Sequence, residues 1–209
     1  MNKATLIQER SGLSAQYSVI IDGRSVFRIE VPAVSLGKLA SVCDESGHLY
    51  DITWDIHENK NMFAFRTEKR KFHVYRITDI PNSNVFGTVY RTRTKAIGGY
   101  SYYVIDTLSD VFQMYEIGLG KSGIKLPVFR GEDQIALLEK DVIIENNLDT
   151  YSVTYTTSES FIISILFGIY YDYHRFGNRG EYVANSTKRY YLYTTNKQLK
   201  SKYNDNWIK

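Results

Sequence analysis

The chain has one cysteine, three prolines and four histidines among 209 residues. Each shortage excludes something. With Cys43 alone there is no intramolecular disulfide framework, and a reducing, cytoplasmic compartment is the expectation. Asp44 and Glu45 flank Cys43 on its C-terminal side; their charges disfavour a thiolate nucleophile. His48, His57, His73 and His174 are scattered, with no i, i+4 helical pair and no cysteine companion, so zinc-ligand spacing is missing. The first ten residues hold no apolar stretch of the signal-peptide kind. The main uninterrupted apolar run, residues 161–171, would span about 16 Å as a helix against the ~30 Å of a bilayer core, so no transmembrane span is expected. A net charge of +3 is too small by itself to mark a nucleic-acid binder.

What the chain does have is tyrosine, 18 of them, which together with the few prolines shifts the expectation toward β structure. From residue 16 onward the text is a succession of short half-apolar segments separated by turn chemistry. Asp22-Gly23 lies between two such segments and carries the signal of a type I′ hairpin. Tyr50, Ile52, Trp54 and Ile56 share one strand face, and Asp51, Thr53 and Asp55 share the other. A polar turn over 58–61, a strand over 62–67 and further strands from 72 to 155 bring the count to about twelve. The charge is uneven: residues 177–209 hold seven Lys or Arg against Glu181 and Asp205, and residues 1–176 carry a net −2.

One segment breaks the pattern. From Phe161 to Tyr171 apolar side chains cover every side of a helical wheel, with Ser164 and Gly168 as a narrow small-residue stripe. A helix apolar all round must be enclosed. The pattern Thr156-x-x-Glu159 predicts a capping box at its start. His174 and Arg175 suit its negative end, and Gly177 suits a left-handed C′ position.

Strands that need something to cover and a helix that needs a sheath predict a mainly β fold: a closed antiparallel barrel of about twelve strands around a central hydrophobic helix over residues 158–176. In this the chain resembles the tubby C-terminal-like superfamily, which includes tubby proteins, LURP-one-related proteins, phospholipid scramblases and small bacterial members. The resemblance covers roughly residues 14–176. It rests on the run of hairpins with Asp-Gly and Ser-Gly turns, on Leu126-Pro127-Val128-Phe129-Arg130, and on Tyr151-Ser152-Val153 leading into Phe161-Ile162-Ile163-Ser164-Ile165-Leu166. It implies a tubby-like barrel over 1–176 and a basic, tyrosine-rich C-terminal extension over 177–209. It also points to phospholipid surfaces as partners, although no complete phosphoinositide site matches residue by residue.

No catalytic constellation stands out and no cofactor is expected. Gly118-Leu119-Gly120-Lys121-Ser122 invites a P-loop reading, but Tyr115 occupies the place of the first glycine and no helix start follows. The basic clusters carry more. Lys69, Arg70 and Lys71 form one hairpin tip, and Arg91, Arg93 and Lys95 alternate along one strand face. Lys188 and Arg189 open an aromatic, cationic tail. These eight residues are the candidates for an anion or phospholipid site, against the ordinary reading of a solvated face. The expected function is a non-enzymatic binding or scaffold module, cytoplasmic and peripheral to an anionic membrane or held by a protein partner. The alternatives are a hydrolase-like barrel with a rim site and a nucleic-acid-binding barrel.

Overall fold

A computed structural model describes residues 1–12, 14–33, 37–60, 70–95, 98–176 and 182–207. Fifteen strands form among the described residues, β1 Asn2–Arg10, β2 Ala15–Ile21, β3 Arg24–Val31, β4 Lys38–Asp44, β5 Gly47–Trp54, β6 Phe72–Asp79, β7 Asn84–Arg93, β8 Ser101–Thr107, β9 Val111–Met114, β10 Ile117–Gly118, β11 Ile124–Arg130, β12 Asp133–Lys140, β13 Ile143–Glu145, β14 Thr150–Tyr155 and β15 Thr187–Arg189. The helices are α1 Ile56–Lys60, α2 Ser158–Arg175 and α3 Lys197–Lys200.

Twelve strands close an antiparallel ring in the order β11-β12-β14-β1-β2-β3-β4-β5-β6-β7-β8-β9, with β9 returning to β11 through Val128 opposite Met114 and Arg130 opposite Phe112. Closure leaves the ring without an open edge. Hairpin chemistry fixes the register: Asp22 and Gly23 both take positive φ (49° and 77°), as the type I′ turn between β2 and β3 requires.

Helix α2 runs inside the ring, where residues 163–172 are buried without exception. Phe161 stacks on Phe27 of β3 at 5.4 Å. Tyr170 meets Tyr75 of β6 and Tyr103 of β8, and Tyr171 meets Tyr151 of β14. The stripe of small residues has its use at Gly168, where a Cβ would sit 2.9 Å from Leu6 of β1 and 3.1 Å from Leu138 of β12. The helix therefore touches wall on all sides. Its large buried side chains contribute on the order of 15–25 kcal/mol before chain entropy is subtracted.

Four expectations change. The twelve ring strands include β1, which sequence reading passed over; Ala4, Leu6 and Gln8 point inward, and the polar Gln8 hid the alternation. Of the strand expected over 142–145, Ile143–Glu145 forms β13, which leaves the ring and pairs with β15. The turn placed at 58–61 begins instead as α1, because the Asp55 carboxylate accepts from the backbone N–H groups of His57 and Glu58, both at 3.0 Å. The cap of α2 sits one residue later: Thr157 is extended and its hydroxyl accepts from Ser160 N at 3.1 Å, while Ser160 Oγ accepts from Thr157 N at 2.9 Å. Thr156 donates to the Ile135 carbonyl, and Glu159 pairs with Arg130. The strand placed at 62–67 and the C′ glycine at 177 lie outside the described residues.

Residues 182–207 lie along the outside of the ring. Gly120 N donates to Leu192 O and Thr194 N donates to Gly118 O, at 2.8 and 2.9 Å. A Cβ on Gly118 would collide with the Leu192 backbone, so the tail seats only because glycine is there. Leu199 is buried with Tyr115 and Ile117, and the Trp207 indole donates to Gln134 O at 3.0 Å. The glycine-rich stretch at 118–123 is thus a strand end and a short 3-10 turn against which the tail packs. Among the described residues no helix is long and apolar enough to cross a membrane.

Candidate functional site

Register divides the loops between two ends of the barrel. The tips of the hairpins β2–β3, β4–β5, β6–β7, β8–β9 and β11–β12 gather at the end where α2 begins. They carry Asp22, Asp44, Glu45, Asp79, Asp110, Glu132 and Asp133 against Arg24 and Arg130. The other end, where α2 finishes, receives the start of β6, the end of β7, the end of β12 and the β13–β15 ribbon. Acids thus surround the positive end of the helix dipole, while the opposite end gathers cations together with Glu58, Asp141 and Glu145.

At that second end a buried polar network joins four strands and the helix. Asp172 is fully enclosed and accepts from the hydroxyls of Tyr17 and Tyr151, each at 2.5 Å. Tyr17 in turn accepts from Gln8 Nε2 at 3.3 Å, and Gln8 Oε1 accepts from the Asp149 backbone N–H at 3.0 Å. Asp149, 0% exposed, pairs with Lys140, 2% exposed. The Lys140 ammonium lies 5.1 Å from the centre of the Tyr151 ring and 4.8 Å from that of Phe176. Burial drives each proton equilibrium toward the neutral form. The Asp172 carboxyl is raised, chiefly by burial and against the pull of its two tyrosine donors. Burial lowers Lys140 to about 8, with the Asp172 charge opposing the shift. Tyr17 and Tyr151 are pushed well above the usual phenol range, first by burial and then by the Asp172 charge. A rim hollow of about 400 Å³, lined by Gln8, Asp141, Glu145 and Thr150 among others, opens beside this network.

A second cluster faces β6. His73, with φ 53°, stacks on His174 at 4.7 Å, and the Tyr170 hydroxyl donates to the carbonyl oxygens of Phe72 (3.2 Å) and His73 (2.9 Å). Burial and the nearby Arg91 charge lower His73. Arg175 binds Glu116 Oε1 at 3.1 Å and the Tyr190 hydroxyl at 2.7 Å, tying the helix end to the tail.

The candidate cations fall as follows. Phe72 of β6 stands opposite Arg91 of β7, so Arg70, Lys71, Arg91, Arg93 and Lys95 meet at the end where α2 finishes. Arg91 shares the inward phase of Val89; its guanidinium is 5.8 Å from the Phe72 ring centre and its charge reaches His73, Tyr103 and Tyr170. Lys71 is engaged by Glu58 at 3.5 Å and lies over the Tyr90 ring at 4.7 Å. Arg93, hydrogen-bonded to Ser101 Oγ at 3.3 Å, and Lys95 are exposed. Lys188 and Arg189 belong to β15, where Lys188 donates to Asn147 Oδ1 at 3.2 Å. Lys69 lies outside the described residues. Sequence reading missed Gln8, Lys140, Asp149 and Asp172, because nothing local marks a residue whose partner stands up to 155 positions away. Among the described residues no group of histidine, cysteine or carboxylate side chains is arranged to hold a metal ion.

No protein-family model, no curated protein and no solved structure matches the chain.

Proposed function

We propose that this chain is a non-enzymatic, tubby-like binding module that docks on anionic phospholipid surfaces with the end of the barrel at which α2 finishes. The observation that carries the reading is the convergence of Arg70, Lys71, Arg93 and Lys95 there, with acidic hairpin tips at the far end. Such an axial charge separation turns one end toward a negative surface and the other away. The axis of the barrel is occupied by α2, which leaves the outer rim as the place for a ligand.

Vesicle co-sedimentation tests this. At low salt the protein is expected to pellet with phosphatidylserine-containing vesicles and not with neutral phosphatidylcholine. Arg93→Glu with Lys95→Glu should weaken that binding at least roughly 30-fold, at about 1 kcal/mol per basic residue removed. Equal partitioning into both vesicle types sinks the reading. Retardation of single-stranded nucleic acid without vesicle binding would move it to the other anionic polymer.

A further inference from the structure

We propose that Lys140 and Asp149 become covalently joined, the lysine Nζ and the aspartate Cγ forming an intramolecular amide that staples the end of β12 to the start of β14. The argument begins with burial. Both side chains are withdrawn from water, at 2% and 0% exposure, and are already in contact as an ion pair. Two desolvated charges are costly to keep, whereas an amide is neutral. In water the condensation of an ammonium with a carboxylate runs toward hydrolysis. In a site closed to water, loss of the product water and removal of both charges favour the amide.

Geometry supplies the rest. Lys140 stands between Ile124 of β11 and Tyr151 of β14 in the ring, and Gly123 lets the neighbouring chain pass close to its backbone. Asp149 is held from both sides of its peptide by Gln8: its N–H donates to Gln8 Oε1 at 3.0 Å, and its carbonyl accepts from Gln8 N at 2.8 Å. Two reactants fixed in this way react as though at effective concentrations on the order of 10⁵ M or more. The aromatic faces of Tyr151 and Phe176 line the lysine, and burial makes its neutral, nucleophilic amine accessible near neutral pH.

The step balances without a co-reactant. Nζ attacks Cγ, the C–N bond forms, one Cγ–O bond breaks, and that oxygen leaves with two of the three ammonium protons as water. The titratable groups around the pair are Asp172, Asp141, Tyr151 and Tyr17. Of these, Asp172 is the buried carboxylate whose charge reaches Lys140, and it can take a proton from nitrogen and pass it to the departing oxygen.

Intact-mass spectrometry of the full-length denatured protein tests the proposal. The expected mass is that of the sequence less one water. Digestion after glutamate, which separates residues 140–145 from 146–159 in an unlinked chain, is expected to release the two as one branched peptide joined through Lys140 and Asp149. Lys140→Arg, which keeps a cation in place, should restore the full sequence mass. A wild-type chain at its full sequence mass overturns the proposal and leaves an ion pair. So does a water loss that maps elsewhere, such as a succinimide at Asp22-Gly23, with the two peptides released separately. The wild-type measurements decide the matter even if a variant fails to fold.

Discussion

The two ends of α2 show two ways of finishing a buried helix. At its start the orphan N–H groups are met by residues three positions apart, Thr157 and Ser160, and the ion pair of Arg130 with Glu159 is about half exposed. At its finish Asp172 accepts from Tyr17 and Tyr151, 155 and 21 positions away, and the neighbouring Lys140–Asp149 pair is shut off from water. The first end is assembled from local parts and costs little to alter. The second exists only once β1, β2, β12 and β14 are in register, and every polar group in it relies on the others.

Alkali should expose this contrast most strongly. Tyr17, Tyr103, Tyr151, Tyr170 and Tyr171 all lie toward the second end, and burial raises all five. Their contribution is complete below the unfolded value of 10.0, and it is lost as pH climbs beyond that, since the unfolded chain releases protons that the folded one retains. Each can remove up to about 1.4 kcal/mol per pH unit above that point. The thermal midpoint should therefore drop sharply between pH 10 and 12, with a step in tyrosinate absorbance that coincides with unfolding; ionisation of these five in the native protein, with no such step, would contradict the burial. Next in size, Lys140→Met strands the Asp149 carboxylate and should cost about 3–5 kcal/mol in urea denaturation. A loss below 1 kcal/mol would mean that the second end is no tighter than the first. Thr157→Ala should cost only about 1 kcal/mol. Glu159→Gln, at a half-exposed pair, should change stability by less than about 1 kcal/mol. If either of these last two matched Lys140→Met, the contrast between the ends would fail.

The same contrast explains what could be read from the sequence. Asp22-Gly23 and the alternation in β5 and β7 act over a few residues, and an apolar surface running all round from Phe161 to Tyr171 admits few environments, so the barrel and its helix were legible. The cap was misplaced by one because Thr156 and Thr157 both offer a hydroxyl, and only the chain path decides which of them faces Ser160 N. At β5 the alternation continued on paper through Ile56, yet Asp55 caps a helix there and leaves Ile56 59% exposed. The basic residues were identifiable, but not that Arg91 turns inward while Arg93 and Lys95 stay out. Nothing in the neighbourhood of Lys140 distinguishes it from a surface lysine; its environment is created by residues contributed from Gln8 to Phe176.

All twelve members of the ring precede α2 in the chain, and the ring cannot form until Ala4 meets Val153. As the polypeptide leaves the ribosome, the inward faces of Ile52, Ile77 and Val89 emerge long before the segment that will cover them. Assembly therefore waits for the last part of the chain, at the slow rates typical of distant pairings. Until residues 158–175 arrive, the nascent protein is an uncovered sheet, the form in which it is most vulnerable to sticking to its neighbours.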